Sequence, residues 1–354
     1  MLLEENKTLA PFTTFGIGGP ARWFVAAESE EDIRQAAAWA GEHGVALFVL
    51  GGGSNLLVSD EGFRGLVLHV CLRGITHTQE DSSALFSAAA GEDWDGFVEQ
   101  TVRAHCAGVE CLAGIPGTVG GTPVQNVGAY GQEVASTIRR VRAFDLLQHD
   151  FVEFSAAECN FAYRRSRFNA EERGRYVVTR VDYRLTPDGA PTLRYADLQR
   201  AFPAGTGAAL PQVAEAVRSI RHGKGMLLVA GDPDCRSAGS FFKNPAVPVE
   251  QLHSIAAESG SEPPHFPAGP EAGHEDKVKL PAAWLIEHAG FEKGTARGAA
   301  GISARHTLAL INRGGATAAE ILSLAAEIRT AVHARFHILL EREPVLVGFS
   351  DLPF

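Results

Sequence analysis

A serine that follows a glycine turn lies in a setting that suits proton transfer. Ser240 follows residues 237–239 (Ser-Ala-Gly) and precedes Phe241 and Phe242. Aromatic neighbours exclude water, so this hydroxyl could donate a proton to a reacting carbon. A hydroxyl is a weak acid, and the role requires neighbours that polarise it and a strong base that forms in the transition state. The alternative is that Ser240 only caps the turn.

Charged residues form two further groups that could act on an anionic substrate. Glu341 and Glu343 flank Arg342, and alternation along a strand places the two carboxylates on one face. Arg164 follows Tyr163 and begins a short basic stretch. A solvated strand face and a surface loop are the alternatives for these two groups. By themselves they indicate sites where local charge could bind a ligand.

Glycine is concentrated in residues 114–131, which contain six glycines in eighteen residues. Such density allows the main chain to approach another group closely. The side chains kept there are neutral hydrogen-bonding groups, namely Thr118, Thr122, Gln125, Asn126 and Tyr130. This chemistry suits a dinucleotide, and a long exposed loop is the alternative. Neither GxGxxG nor GxxxxGK[ST] is present, so a dinucleotide would bind in a different fold.

The elements that position these groups follow from apolar spacing and from turn residues. Ser29 and Gly44 bound a predicted helix over 30–43, and a buried strand over 45–50 leads into the turn 51–55 (Gly-Gly-Gly-Ser-Asn). Bare amides at that turn can face phosphate oxygens. Strands are also predicted over 66–70, 85–90, 138–147, 176–185, 307–311 and 338–347, and helices over 93–106, 211–222, 249–258, 282–288 and 317–336. Residues 259–276 are predicted to be an exposed loop, and the class is α+β.

Composition excludes several function classes. The chain has 354 residues and a formal net charge of −10 without a basic stripe, which argues against nucleic-acid binding. Its five cysteines form no CxxC pair and its histidines no His-Glu-x-x-His motif, so no metal site is expected. There is no signal-peptide or membrane-spanning pattern. A cytoplasmic protein is expected, and a monomer.

Six segments, in order, resemble the UDP-N-acetylenolpyruvoylglucosamine reductase family, whose activity is also called UDP-N-acetylmuramate dehydrogenase. They are residues 14–19 (TFGIGG), 50–56 (LGGGSNL), 114–131, 161–164 (FAYR), 239–245 (GSFFKNP) and 340–348 (LEREPVLVG). The resemblance covers nearly the whole chain. It implies a PCMH-type (vanillyl-alcohol-oxidase type) FAD-binding domain in two subdomains, 1–75 and 76–205. An α/β substrate-binding domain, 206–354, follows, and its last strand (338–348) returns toward the flavin site.

The reaction that the resemblance implies is the NADPH-dependent reduction of an enolpyruvyl ether on a UDP-sugar, in peptidoglycan precursor synthesis. Hydride from NADPH reduces non-covalently bound FAD, and reduced flavin N5 delivers it to the enolpyruvyl methylene. Charge then develops on the carboxylate as an enolate, and the adjacent carbon takes a proton. By motif match Ser240 is the proton donor, while Arg164 and Glu343 flank the carboxylate.

The resemblance also assigns binding positions. The FAD-binding positions are Gly51, Gly52, Gly53, Ser54, Asn55, Ile115, Pro116, Gly117, Gly120, Gly121, Thr122, Asn126, Gly128, Ala129 and Tyr130. The substrate-binding positions are Tyr163, Tyr195, Lys224, Asn244 and His306. Tyr195 resembles the tyrosine that covers the substrate in the type I branch of the family.

Two features depart from the type I pattern, and two other functions stay open. The segment between Lys224 and Ser240 is longer than in the shortest members, and Pro344 and Val345 stand where a valine and an arginine are common. The second change removes a cation near the flavin edge. An FAD-dependent alcohol or sugar oxidase on the same fold is one alternative, although no covalent flavin attachment residue is evident. A non-catalytic nucleotide-binding module is the other.

Overall fold

The computed structural model describes residues 1–80, 82–205, 207–268 and 276–350. Contacts divide the chain into two units. Unit 1 comprises Met1–Lys7, Pro20–Gly53 and Phe63–His222. Unit 2 comprises Thr8–Gly19, Ser54–Gly62 and the chain from Gly223 onward. The three-domain division made from the sequence stays a prediction.

Unit 1 contains two principal sheets. The first has the strand order Glu4–Thr8, Pro20–Ala27, Phe63–Val70 and Leu47–Leu50, and its last three strands are parallel. The second is antiparallel, in the order Asp150–Ser155, Ile138–Asp145, Tyr176–Pro187, Ser83–Ala89 and Ile75–Glu80. Cys106–Ala107 pairs with the end of Tyr176–Pro187, and Gly128–Ala129 pairs with Gln132–Glu133.

Four helices belong mainly to unit 1: α1 (Glu30–Glu42), α2 (Trp94–Arg103), α3 (Ala196–Ala201) and α4 (Leu210–Gly223). Ser29 is the N-cap of α1, as predicted, because its hydroxyl accepts the Asp32 N–H while the Asp32 carboxylate accepts the Ser29 N–H. Helix α4 buries Leu210, Val213 and Val217 in the same apolar core as α1 and α2. The predicted third domain, 206–354, begins with this helix.

Unit 2 is built from short sheets around three helices. Its strands are Leu56–Val58 with Val345–Val347, then Ala246–Pro248, Phe266–Pro267 and Lys277–Lys279, and then Ala296–Arg297, Ala300–Ile302 and Leu310–Asn312. Its helices are α5 (Val249–Ser259), α6 (Ala282–His288) and α7 (Ala318–Phe336). Thr317 and Glu320 form a capping box on α7, and the Asp60 carboxylate accepts the N–H groups of Ala318 and Ala319. Helix α7 is therefore fixed at its N-terminus by two carboxylates.

Three sequence predictions require correction. The strand predicted over 338–347 is a strand only at Val345–Val347, because Pro344 has no N–H and Arg342 forms only an isolated bridge with Phe242. The strand predicted over 307–311 lies at Leu310–Asn312. Within the loop predicted over 259–276, Phe266–Pro267 pairs with Lys277–Lys279, while 269–275 lie outside the described residues.

The α+β class is confirmed by the mixture of sheets and helices. Within the described part of the chain, every helix is too short or too polar to span a membrane.

Candidate functional site

The turn after strand Leu47–Leu50 lies directly against the glycine-rich segment of unit 1. A Cβ added at Gly52 would be 2.6 Å from the Gly117 Cα and 3.0 Å from the Thr118 nitrogen. A Cβ added at Gly51 would be 3.0 Å from Thr118 Oγ1. Gly53 has a φ of +62°, a conformation that favours glycine. The two segments predicted to hold a dinucleotide are thus in main-chain contact, and a side chain at Gly52 would separate them.

Thr118 lies at this contact and carries a hydroxyl, although it is not among the predicted FAD-binding positions. Thr118 Oγ1 is buried and has no hydrogen-bond partner among the residues that the structure describes. A buried polar atom without a partner costs free energy, and such atoms mark places where a ligand or water completes the bonding. The signal in the sequence was a neutral hydrogen-bonding side chain within a run of glycines.

Gly120, Thr122 and Gly128, like Asn126 described next, are predicted cofactor positions whose contacts shape the segment. Gly120 packs on Ala90, and its N–H donates to the Ala90 carbonyl at 2.8 Å. The buried Thr122 hydroxyl is 2.6 Å from the Tyr183 hydroxyl. A Cβ added at Gly128 would be 2.6 Å from the side chain of Glu133.

Asn126 is the fourth, and it connects the glycine-rich segment to the turn that carries Arg164. The Asn126 side-chain nitrogen donates to the Ala162 carbonyl at 3.0 Å, and its oxygen accepts the Ala135 N–H at 3.1 Å. Ala162 and Arg165 exchange main-chain hydrogen bonds around the turn, and Asn169 donates to the Arg164 carbonyl.

Arg164 occupies an uncommon conformation in this turn, with a φ of +56°. A non-glycine residue there is strained, and the surrounding hydrogen bonds maintain the strain. The Arg164 guanidinium lies 5.3 Å from the ring centroid of Tyr163. The turn therefore holds both predicted residues, the arginine and the tyrosine, in one fixed arrangement.

Tyr195 packs against the glycine-rich segment through Tyr130. The two rings meet edge to face with centroids 5.2 Å apart. Tyr130 is buried with a φ of +49°, whereas Tyr195 is 40% exposed at the N-cap position of α3. Unit 1 thus brings a predicted substrate residue next to a predicted cofactor residue.

In unit 2, main-chain hydrogen bonds bring the Ser240 segment and the Glu343 segment together. The Glu343 N–H donates to the Phe241 carbonyl at 2.9 Å, and the Lys243 N–H donates to the Glu341 carbonyl at 2.9 Å. Gly239 has a φ of +72°, which turns the chain just before Ser240. Phe241 and Phe242 are both buried, as expected of residues that keep water from the serine.

Asn55 joins the same segment of unit 2. Its carbonyl accepts the Val345 N–H at 2.9 Å, and its side-chain nitrogen donates to the Glu343 carbonyl at 3.4 Å. These bonds begin the parallel pairing of Leu56–Val58 with Val345–Val347. Ser54 and Asn55, predicted to bind the cofactor, therefore belong to the unit that carries Ser240 and Glu343, while Arg164 belongs to unit 1.

His306 is a neutral hydrogen-bond donor at physiological pH. Burial, followed by the positive charges of Lys224 and Lys293, lowers its pKa to about 4. Its Nδ1 accepts the Leu308 N–H at 3.2 Å, which places the proton of the neutral ring on Nε2. His306 and Lys224 thus combine an N–H donor with a cation, which suits phosphate oxygens.

Asn244 has a structural contact in addition to its predicted role. Its side-chain oxygen accepts the Ala282 N–H at 2.9 Å at the start of α6. This bond orients the carboxamide so that the donor nitrogen is the group left for other contacts. Among the described residues, no group of three or more His, Cys, Asp or Glu side chains is arranged to hold a metal ion.

Comparison with known proteins gives matches along nearly the whole chain. A family model described as an FAD binding domain matches residues 21–150. A second, described as the C-terminal domain of UDP-N-acetylenolpyruvoylglucosamine reductase, matches residues 232–347. A solved structure, the UDP-N-acetylenolpyruvylglucosamine reductase of Thermus caldophilus, is similar with a TM-score of 0.67 and 26% identity, covering 98% of this chain and 100% of that one.

Curated relatives carry the same name. The UDP-N-acetylenolpyruvoylglucosamine reductase of Streptomyces coelicolor is 48% identical over 98% of this chain and 90% of its own length. That of Thermobifida fusca is 45% identical over 98% of both chains. The family resemblance read from the six motifs is confirmed by these matches. This chain belongs to the UDP-N-acetylenolpyruvoylglucosamine reductase family.

Proposed function

We propose that this chain reduces UDP-N-acetylglucosamine enolpyruvate to UDP-N-acetylmuramate with NADPH and non-covalently bound FAD, in peptidoglycan precursor synthesis. The observation that carries the proposal is the 48% identity, over 98% of the chain, to a reductase of that name. The match of residues 21–150 to an FAD binding domain supports the cofactor.

The residues of unit 1 fit FAD. Gly51 and Gly52 lie against Gly117 and Thr118 so closely that added Cβ atoms would clash, which leaves main-chain groups to face a ligand. The buried Thr118 hydroxyl can complete its hydrogen bonding with a polar group of the cofactor. These positions, with the other FAD-binding positions predicted from the sequence, are the proposed cofactor site.

The chemistry that FAD supplies when bound is hydride storage between NADPH and the enolpyruvyl methylene carbon. Negative charge then develops on the substrate carboxylate, and the Arg164 guanidinium is proposed to neutralise it. Ser240 is proposed to give its hydroxyl proton to the adjacent carbon. Glu343, whose main-chain N–H donates to the carbonyl of Phe241, is proposed to polarise that hydroxyl or a water. Phe241 and Phe242 exclude bulk water behind the serine.

Each unit is proposed to contribute its own substrate-binding residues. In unit 2, Lys224 supplies a charge and His306 a neutral Nε2–H donor, a combination that suits the diphosphate of a UDP-sugar. In unit 1, Tyr163 and Tyr195 provide aromatic surface, and Tyr195 is proposed to cover the substrate. Asn244 adds an amide donor. Because NADPH and UDP-sugars are cytoplasmic metabolites, we expect a cytoplasmic enzyme, and a monomer without nucleic-acid or membrane partners.

The proposal is tested by following purified protein through both half-reactions. The protein is expected to be yellow, to bleach when NADPH is added without oxygen, and to regain its colour when UDP-N-acetylglucosamine enolpyruvate follows. Steady NADPH oxidation should require the enolpyruvate, with a lactyl ether as product. Fast reoxidation by oxygen and turnover without NADPH would instead favour the oxidase alternative. A colourless protein that takes up no FAD would leave only the hypothesis of a non-catalytic nucleotide-binding module.

A further inference from the structure

The first residue of the glycine-rich segment is held at both of its main-chain polar atoms by charged side chains. Asp95 Oδ1 accepts the Gly114 N–H at 2.7 Å, and Arg221 Nε donates to the Gly114 carbonyl at 2.8 Å. Gly114 is buried and has a φ of +69°. Hydrogen bonds to charged groups are shorter and stronger than neutral ones. The direction in which the chain leaves Gly114 is therefore set by these two side chains.

Asp95 is itself held by a second arginine, Arg218, which lies on α4 as Arg221 does. Arg218 Nη2 donates to Asp95 Oδ1 at 2.8 Å and Arg218 Nε donates to Oδ2 at 3.2 Å, a bidentate pair. The carboxylate also raises the pKa of Arg218. Arg218 and Arg221 are three residues apart and so lie on one face of α4. We call Asp95, Arg218 and Arg221 the Gly114 clamp.

The start of α2, where Asp95 lies, contacts the segment at further points. The Trp94 N–H donates to the Gly117 carbonyl at 3.1 Å, and the Trp94 indole nitrogen donates to the Leu112 carbonyl at 3.0 Å. The main chain is thus fixed before, at and after Gly114. Gly117 is the residue that Gly52 contacts, so the clamp acts on the proposed cofactor site through a short stretch of main chain.

We propose that Asp95 and Arg218 are positioning residues for FAD, which hold residues 114–118 in the binding conformation before the cofactor arrives. This inference rests on the proposed function, because it assumes that unit 1 binds FAD. A preformed site avoids the ordering cost at the moment of binding, so loss of the clamp weakens affinity without removing any group that touches the cofactor.

The test is titration of FAD into apoprotein, followed by flavin fluorescence, for three variants and one control. Asp95→Ala and Arg218→Met are expected to raise the Kd for FAD about tenfold or more, as the loss of one charged hydrogen bond implies. Asp95→Asn keeps an oxygen that accepts the Gly114 N–H and should give a smaller increase. Arg175→Met is the control, because Arg175 forms a comparable bidentate pair with Asp145 elsewhere in unit 1.

Hydrogen exchange of the apoproteins separates positioning from general loss of stability. Asp95→Ala and Arg218→Met should speed exchange in residues 112–118, whereas Arg175→Met should not. If Asp95→Ala does not fold, the FAD Kd and the hydrogen exchange of Asp95→Asn and Arg218→Met provide the test. An FAD Kd within twofold of wild type in Arg218→Met, or an equal rise in Arg175→Met, overturns the inference. Failure of the wild-type protein to bind FAD would instead overturn the proposed function.

Discussion

The main-chain N–H of Glu343 donates a 2.9 Å hydrogen bond to the carbonyl of Phe241, the residue directly after Ser240. The two residues proposed to handle the proton therefore lie on paired main-chain segments, although they are far apart in sequence. Buried Phe241 and Phe242 fix this pairing from the core of unit 2. A side chain at either position acts from a rigid support, as proton transfer over a hydrogen-bond distance requires.

Replacement of Ser240 by alanine should separate the two half-reactions. We expect flavin reduction by NADPH to proceed at nearly the wild-type rate, because no proton from Ser240 is needed there. Reoxidation by the enolpyruvate should slow about 10²–10⁴-fold, the usual contribution of a general acid. Stopped-flow absorbance of each half-reaction measures both. Equal loss in the two half-reactions would mean that Ser240 is structural.

Replacement of Thr118 by valine should weaken FAD binding without destabilising the apoprotein. Valine has nearly the shape of threonine but no hydroxyl, so the apoprotein loses a buried polar atom that has no partner in the described structure. We expect its free energy of unfolding to stay the same or rise by about 1 kcal/mol. The Kd for FAD should rise, while Thr118→Ser should retain wild-type affinity. Denaturant unfolding and flavin titration give the two numbers, and a destabilised apoprotein with unchanged FAD affinity would contradict the assignment.

Replacement of Gly52 by alanine should open the contact between the two glycine-rich segments. The new Cβ would lie 2.6 Å from the Gly117 Cα, and main chain cannot move aside as a flexible side chain does. We expect purified Gly52→Ala protein to contain much less flavin than wild type. Gly41→Ala in α1 is the matched control, since an added Cβ there meets nothing within 4 Å. Equal flavin content in the two variants, read from absorbance, would exclude the close contact.

Acid should destabilise the protein partly through His306. Burial and the charges of Lys224 and Lys293 lower its pKa from 6.5 to about 4, so the unfolded chain takes up a proton that the folded chain does not. This share of the stability is complete above pH 6.5 and is lost as the pH falls toward 4. Urea unfolding between pH 7.5 and 4.5 should show a shallower decline for His306→Gln than for wild type.

The control for that series is His43→Gln, which changes an exposed histidine just after α1 and leaves the His306 site unaltered. His69, whose pKa burial also lowers, contributes to the decline in all three proteins. A parallel pH dependence for His306→Gln and wild type would show that His306 titrates normally in the folded state.

Features governed by neighbouring residues could be predicted from the sequence. The Ser29 cap of α1 and the Thr317 start of α7 were predictable because a capping side chain bonds to main chain only a few residues away. The prediction of a strand over 338–347 was wrong in its bounds, because apolar alternation does not show where a strand finds a pairing partner. Ile75–Glu80 was missed because its side chains are mostly polar and exposed, and pairing with Ser83–Ala89 alone makes it a strand.

The candidate site divides in the same way. The glycine runs, Ser240 and Glu343 were evident as residue types and as family motifs. The Thr118 hydroxyl without a partner among the described residues and the hydrogen bond from Gly114 to Asp95 were not evident, because both depend on residues that fold next to each other from distant positions. Whether a buried polar atom has a hydrogen-bond partner depends on three-dimensional packing, which one sequence does not reveal.

The pairing of Leu56–Val58 with Val345–Val347 has a consequence for synthesis on the ribosome. The core of unit 2 also includes Phe15 and Ile17, which are translated early. They can pack only after helices α6 and α7 have been translated. A fragment that begins at Gly223 would lack these early residues, and a nascent chain that stops before Val345 would lack the last strand. Unit 2 can therefore complete its core only after nearly the whole chain has been translated, whereas unit 1 has all of its residues by His222.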